Sequence, residues 1–171
     1  FAQLKKPEFV DLLFNMKKFE KKIQIEISKN QKFIEYSQLK IDYLKIITKK
    51  IEANNGGLLI IDYGYFDKKI KNTLQAVCNH KYSNVLDNFG KSDITYNLNF
   101  YFIEQLIKKF GSFHSIITSQ KKFLTSLGIL QRAEILTKNM PFTQKADIYF
   151  RIKRLIDKDA MGELFKVMFI T

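Results

Sequence analysis

The residues best placed to do chemistry are Asp62-Tyr63-Gly64-Tyr65, which follow an apolar run, Leu58–Ile61. Open α/β sheets bind ligands beyond the carboxyl ends of their strands, so a carboxylate and two tyrosines at this point are candidate ligand contacts. A turn that ends the strand, with Asp62 capping the next segment, explains the same residues equally well. His80 is a candidate base or substrate contact, although a lone loop histidine is more often ordinary surface.

Several kinds of chemistry are excluded because their motifs are missing. The seven glycines never form a Gly-x-Gly pair, which excludes the dinucleotide fingerprint and the P-loop. There is no Gly-x-Ser-x-Gly nucleophile elbow. His80, His114 and Cys78 are too few and too scattered to predict a zinc site, so we expect no bound metal.

Composition and charge bound the class of protein. A chain of 171 residues with 46% hydrophobic and 27% charged residues fits one domain with its own core. No apolar stretch is long enough to predict a membrane span, and the single cysteine, Cys78, indicates a reducing compartment. The net charge is +12, but the basic residues are dispersed and all but three of the 29 are lysines. This distribution favours an ordinary solvated surface over a nucleic-acid site.

Hydrophobic periodicity predicts alternating helices and strands. The first half reads as a helix from Pro7 to about Lys22, a β-hairpin at Ile23–Tyr36, a helix at Ile41–Ala53 ended by Asn54-Asn55-Gly56-Gly57, and a strand at Leu58–Ile61 that is buried on both faces.

The second half continues the α/β order. It begins with an extended piece at Thr73–Cys78, a loop at 79–92, a helix from an Asn99 cap to Phe110 and a strand at Ser115–Thr118. Helices follow at Lys121–Leu127 and Ile129–Lys138, broken at Gly128, and from a Thr143 cap to about Leu155. The last element is a strand at Leu164–Ile170. In the turn before that strand, Gly162 is expected to supply backbone freedom.

Five ordered segments resemble the MidA-like family, the class I S-adenosylmethionine-dependent protein arginine methyltransferases linked to assembly of respiratory complex I. They are GGLLIIDYGY (56–65), TLQAVCNHKY (73–82), SDITYNLNF (92–100), TSQKKFLTSLGILQRAEIL (118–136) and DKDAMGELFKVMFIT (157–171). The resemblance covers residues 40–171 and extends more loosely over 19–39.

The resemblance implies the carboxy-terminal part of a Rossmann-like class I methyltransferase fold. Leu58–Ile61 would be the fifth strand, Ser115–Thr118 the sixth and Leu164–Ile170 the antiparallel seventh. The chain would be a single domain over residues 1–171. Its predicted parts are a helix plus hairpin (1–39), a helix and central strand (40–65), a substrate-side insertion (66–111) and the final strands and helices (112–171).

The resemblance also implies which residues form the substrate cleft. Two stretches of this sequence depart from the family pattern. The cleft candidates are Asp62, Tyr63, Gly64, Tyr65, His80, Asp93 and Thr95; a cap or Asx-turn is an alternative role for the last two. The family typically has Pro-Gly where this chain has Phe89-Gly90, and Ala-His-Val-Asp-Phe where it has Tyr96-Asn97-Leu98-Asn99-Phe100. The histidine and acid of that stretch are replaced, and no catalytic residue is assigned.

The family's amino-terminal half, with its glycine-rich cofactor turn, has no counterpart in these residues. S-adenosyl-L-methionine is the cofactor of the complete enzyme, and none is expected for this chain alone. We expect a methyltransferase fragment that acts on a protein like a complex I subunit. It would be either inactive without the amino-terminal cofactor-binding half or paired with such a half encoded separately. It would lie in the bacterial cytoplasm or, in a eukaryote, the mitochondrial matrix. The alternative is a non-catalytic basic module that binds protein or, less readily, nucleic acid.

Overall fold

A computed structural model describes residues 14–29, 31–88 and 90–171. In chain order the helices and strands are α1 (Met16–Ile23), α2 (Gln38–Asn54), β1 (Leu58–Tyr65), β2 (Gln75–Cys78), β3 (Lys81–Ser83), β4 (Asp93–Thr95), β5 (Leu98–Asn99), α3 (Phe100–Phe110), β6 (Ser115–Ser119), α4 (Gln120–Ser126), α5 (Ile129–Thr137), α6 (Phe142–Ile156), α7 (Met161–Leu164) and β7 (Phe165–Ile170).

The described residues form two compact units. The first unit contains the described residues up to Tyr36 together with Lys69–Asn97, and the second contains Ser37–Lys68 together with Leu98–Thr171. The segment 66–111, expected to be one substrate-side insertion, is therefore divided between the two units. Among the described residues, no helix has both the length and the apolar character needed to cross a bilayer.

In the first unit, α1 begins where the Asn15 side chain accepts a hydrogen bond from the Lys18 backbone N–H at 2.9 Å. The part of the predicted helix that precedes residue 14 lies outside the described residues. The buried ring of Phe19 packs against Tyr36, with ring centroids 4.3 Å apart. This aromatic contact holds the two ends of the segment between α1 and α2 together.

The hairpin predicted at Ile23–Tyr36 is wrong, because the described residues of that segment contain no strand. The Glu20 carboxylate instead accepts the backbone N–H groups of Ile27 and Ser28, so these donors have a side-chain partner rather than a neighbouring strand. These same bonds hold the pKa of Glu20 below its usual range. Further on, Gln31 Oε1 accepts the Ile70 N–H at 2.8 Å.

The first unit also contains an antiparallel sheet in the order β3-β2-β4. A loop was predicted for residues 79–92, but β3 lies within them. Asn79 and His80 join Cys78 to its partner Lys81, and both turn residues have positive φ, at 50° and 62°. Two such residues are typical of a type I′ turn, whose twist matches that of the flanking strands.

In the second unit, four strands follow the order β5-β1-β7-β6. β7 is antiparallel to both of its neighbours, and β5 is parallel to β1. The resemblance implied an antiparallel last strand, and this is confirmed; β7 lies between β1 and β6. Met168 and Ile170 of β7 are completely buried. The core of the unit therefore lies on the face of the sheet to which these two residues point.

Helix ends in the second unit agree with the predictions in part. Asn55 ends α2 in a left-handed conformation, and Gly128, with φ 79°, separates α4 from α5, as predicted. The predicted cap at Thr143 is wrong: α6 begins at Phe142, after Pro141, whose carbonyl accepts the Lys145 N–H at 3.0 Å. A proline immediately before the first turn has no N–H to lose there, which favours this earlier start.

Candidate functional site

The candidate site lies at the carboxyl end of β1, and its residues are strand residues rather than a turn. β1 continues through Asp62-Tyr63-Gly64-Tyr65, with Asp62 opposite Lys166 and Tyr63 opposite Phe165 on β7. The predicted turn is therefore wrong. The strand is not buried on both faces either, since Leu59 and Ile61 are 46% and 45% exposed.

A second strand ends beside this one. β5 pairs in parallel with β1 through Gly64–Leu98 and Tyr65–Asn99, so the two carboxyl ends meet at one edge of the sheet. Asn99 then caps α3: its Oδ1 accepts the Phe102 N–H at 3.1 Å, as the sequence predicted. Its Nδ2 also donates to the Asp67 carbonyl at 3.0 Å. Periodicity identified the cap but had no signal for this second bond.

At Gly64, β1 lies very close to the start of α3. A Cβ on this residue would stand 2.5 Å from the Leu98 carbonyl oxygen and 2.5 Å from the nearest ring carbon of Phe100. Phe100 is itself completely buried. The Cβ position of Gly64 is therefore filled by other residues of the chain, although Gly64 itself is partly exposed.

Aromatic side chains flank the carboxyl end of β1. The rings of Tyr63 and Phe165 have centroids 4.1 Å apart, and those of Phe66 and Tyr101 meet edge to face at 5.6 Å. The half-buried Asp62 contributes a carboxylate, whose Oδ1 accepts the N–H of the next residue at 2.8 Å. Asp62 and Tyr63 are successive strand residues, so their side chains point to opposite faces of the sheet, and Asp62 shares its face with Lys166.

The other predicted site residues belong to the first unit. His80 is exposed at the tip of the turn between β2 and β3. Asp93 and Thr95 are exposed in β4, and Thr95 Oγ1 accepts a bond from Gln75 Nε2 at 3.2 Å. Asp93 and Thr95 are thus strand residues, not the cap or Asx-turn considered as an alternative. Among the described residues, no three His, Cys, Asp or Glu side chains cluster closely enough to hold a metal ion.

Curated relatives match half of this chain or more but only a small part of their own length. A protein from Xenopus tropicalis, the mitochondrial protein arginine methyltransferase NDUFAF7, is 28% identical over 121 residues, which are 70% of this chain and 28% of that protein. The Caenorhabditis elegans homolog of that enzyme is 30% identical over 86 residues, 50% of this chain and 20% of its own length. This chain therefore spans under a third of these relatives.

Solved structures show the same fold. An uncharacterized protein from Burkholderia thailandensis superposes with a TM-score of 0.64 at 23% identity, covering 80% of this chain and 37% of that one. A second Burkholderia thailandensis structure, bound to S-adenosyl-homocysteine, superposes with a TM-score of 0.61 at 24% identity, covering 77% and 35%.

A family model matches residues 3–118, more than half of the chain, and its description is "Putative S-adenosyl-L-methionine-dependent methyltransferase". The matched range includes β1, the β2–β4 sheet, α3 and most of β6. With relatives and solved structures in agreement, the chain belongs to this family of S-adenosyl-L-methionine-dependent methyltransferases.

Proposed function

We propose that this chain is the substrate-side part of a protein arginine methyltransferase, and that a second, separately encoded polypeptide supplies the cofactor-binding part. The names of the NDUFAF7 relatives support protein arginine methylation, and a substrate like a complex I subunit follows from the MidA-like resemblance. The chain spans only 28% of the Xenopus relative, so the activity of that whole protein is carried over here as a proposal. Its location would be the mitochondrial matrix in a eukaryote and the cytoplasm in a bacterium.

The single observation that carries this proposal is the packing around Gly64. A nucleoside cofactor is held where glycine lets the backbone come close to it. The glycine at the carboxyl end of β1 has its Cβ position filled by Leu98 and Phe100, which supports a packing role for it rather than a cofactor contact. In this proposal S-adenosyl-L-methionine is bound outside these residues.

The residues that remain suit the other reactant. A guanidinium group pairs with a carboxylate and stacks on aromatic faces. We assign the carboxylate to Asp62, on the face of β1 that it shares with Lys166, and the aromatic contact to the separate pair of Phe66 and Tyr101 beyond the end of the strand. In this proposal these residues orient the arginine side chain of a protein substrate. His80, Asp93 and Thr95 stay proposed substrate contacts in the first unit.

Titration calorimetry of the purified 171-residue chain with S-adenosyl-L-methionine tests whether the cofactor is bound outside this chain. We expect no saturable binding at micromolar cofactor, with the full-length Burkholderia protein that binds S-adenosyl-homocysteine as the positive control. Saturable micromolar binding by this chain alone would overturn the proposal.

The second candidate, a non-catalytic basic protein-binding module, is favoured by the net charge of +12. A methyl-transfer assay separates the two. We combine the chain with a cofactor-binding half and an arginine-containing protein substrate, and follow labelled methyl groups. Methylated arginine supports the enzyme, whereas substrate binding without methylation in a cofactor-loaded complex supports the module.

A further inference from the structure

A recess of about 460 Å³ opens between the helices α4, α5 and α6 of the second unit. Its floor is mainly aliphatic and is formed by Leu130 of α5 and by Ile152 and Ile156, which lie one turn apart on the same side of α6. Protein pockets that bind ligands have volumes in this range. The recess is therefore large enough to take up an apolar side chain of a partner.

Three lysines line the rim of this recess. Lys121 lies in the first turn of α4, Lys153 in the last turn of α6, and Lys158 in the loop after α6. All three are exposed, and in the described part of the chain none of their ammonium groups is in an ion pair. Of the described residues that line the recess, Asp157 is the only acid, and its Oδ1 accepts the Asp159 N–H at 3.1 Å. The rim therefore carries an excess of positive charge.

Hydrogen bonds within the unit hold the elements that carry these lysines. The buried side chain of Gln120 donates from Nε2 to the Leu155 carbonyl at 2.9 Å, so the start of α4 is tied to the last turn of α6. The Gly162 N–H donates to the Asp157 carbonyl at 2.9 Å and closes the loop that contains Lys158. The fold itself therefore brings the three lysines together, which lowers the cost of ordering them when a partner binds.

We propose that this recess, with Lys121, Lys153 and Lys158 at its rim, binds an acidic amphipathic segment of the protein substrate of the proposed function, on which this inference rests. Carboxylates of that segment pair with the ammonium groups, and an apolar side chain between them enters the recess. The occupant is a peptide segment in which aspartates or glutamates alternate with residues such as leucine.

The charges of the two reactants favour this class of substrate. The arginine of a substrate is positive, and a chain with a net charge of +12 repels it. A substrate with an acidic segment near its arginine offsets this repulsion and is attracted to the protein. Nucleic acid fits the recess less well, because its binding sites favour arginine forks and aromatic stacking, whereas the cations here are all lysines and the floor is mainly aliphatic.

Fluorescence polarisation with a defined probe tests the site in the 171-residue chain alone. The probe is a fluorescein-labelled peptide of four Asp-Leu-Glu repeats, and two comparison peptides replace its leucines by serine or its acids by lysine. We expect saturable binding of the probe, at least tenfold weaker binding of the serine peptide and no binding of the lysine peptide. Because salt screens exposed charges, raising NaCl from about 0.05 M to about 0.5 M should weaken probe binding at least tenfold.

Charge reversals on two helices locate the site. Lys153→Glu on α6 and Lys121→Glu on α4 should each weaken probe binding at least tenfold. Lys145→Glu is the matched control, because Lys145 is exposed on α6 outside the recess and the change in net charge is the same; the affinity should stay within twofold. Leu130→Gln should also weaken binding, whereas Ile135→Gln, at an exposed position on the same helix outside the recess, should not. Circular dichroism shows that each variant is folded.

The absence of saturable binding, or binding that tolerates both charge reversals at the rim, would overturn the inference. Equal loss of affinity with Lys145→Glu would also overturn it, since the attraction would then come from the overall charge. The same holds for a single-stranded oligonucleotide that binds as tightly as the probe and responds to the same variants, because the recess would then be an unselective anion surface.

Methyl transfer separates this inference from the proposed function. In a complex with a cofactor-binding half, an acidic segment joined to an arginine peptide should lower KM at least tenfold and leave kcat unchanged. Probe binding with the expected response to the variants, but no methyl transfer in a cofactor-loaded complex, supports the docking site and contradicts the proposed function. Methyl transfer with a KM that is independent of the acidic segment supports the proposed function and overturns the docking site.

Discussion

The ring of Phe100 occupies the space in which a side chain on Gly64 would stand. The first residue of α3 is thereby packed directly against the backbone of β1, near the end of the strand. Only glycine allows strand and helix to approach so closely. This contact sets the position of α3 relative to the candidate site, and it can be tested by adding a single carbon.

Gly64→Ala is expected to destabilise the second unit by about 1–3 kcal/mol, the usual cost of an added carbon in a packed interior. The new Cβ would stand 2.5 Å from both the Leu98 carbonyl oxygen and the Phe100 ring. Urea unfolding measures the change. Gly56→Ala is the control, because the nearest atom to a Cβ there is 3.9 Å away. Equal stabilities for the two variants would contradict the packing argument.

Asn99→Ala is expected to lower stability by about 1–2 kcal/mol, since it removes the cap of α3 and the bond to the Asp67 carbonyl. Asn99→Asp separates the two roles, because it keeps an acceptor for the Phe102 N–H and loses the donor to Asp67. We therefore expect an intermediate loss, measured by thermal unfolding. If Asn99→Asp were as damaging as Asn99→Ala, the cap would contribute nothing.

Glu20 should make the first unit sensitive to acid. The N–H groups of Ser28 and Ile27 lower its pKa from the ordinary value of 4.5, so the folded state favours the carboxylate. This contribution is fully present above pH 4.5 and is lost as the pH falls through the lowered pKa. NMR titration of Glu20, with amide exchange at Ile27 and Ser28, follows the loss. Glu20→Gln should remove this pH dependence; an unchanged acid profile would argue against it.

Gly162→Val should mainly destabilise β7. Gly162 does not have a positive φ, so the predicted role in backbone freedom is wrong. A Cβ there would instead collide with the backbone carbonyls of Ile156 and Asp157, the latter at 2.6 Å. We expect a loss of about 1–3 kcal/mol and faster amide exchange across Phe165–Ile170. Faster exchange confined to α6, with β7 unaffected, would be the contrary result.

Asp62→Ala tests the candidate site in the complex with a cofactor-binding half. We expect methyl transfer to fall about tenfold or more, equivalent to about 1.4 kcal/mol of transition-state stabilisation. Folding stability should change by less than about 1 kcal/mol, because the side chain is only half-buried and bonds to the neighbouring N–H. Unchanged turnover in a complex that binds cofactor normally would make Asp62 a purely structural residue.

The fold could be predicted where periodicity and capping act locally. Asn55 and Asn99 mark helix ends by their own backbone and side-chain chemistry, and β1, β6 and β7 are short apolar runs whose order matched a family. The hairpin at Ile23–Tyr36 failed for a non-local reason. The alternating isoleucines resemble a strand, but the Glu20 carboxylate accepts hydrogen bonds from two backbone N–H groups that a strand would need for pairing.

The sequence predicted where the candidate site lies but predicted a turn where the structure has a strand. Asp62 and Gly64 are residues that usually end strands, which is why the sequence indicated a turn. Neither the pairing with Lys166 on β7 nor the approach of Phe100 leaves a local trace in the sequence around residue 62. For the same reason the exposure of Leu59 and Ile61 could not be predicted, because it depends on what covers the sheet and not on the strand itself.

The position of β7 has a consequence for how the protein is made. Of the four strands in the larger sheet, β7 comes last along the chain, yet it lies in the interior between β1 and β6. During synthesis, β1 and β6 leave the ribosome before β7, the strand that pairs with both. The pairing of Leu58 with Ile170 can therefore form only after β7 has been synthesised. Contacts between such distant residues slow folding and prolong the exposure of apolar segments. The sheet can therefore be completed only after nearly all of the printed sequence has been synthesised.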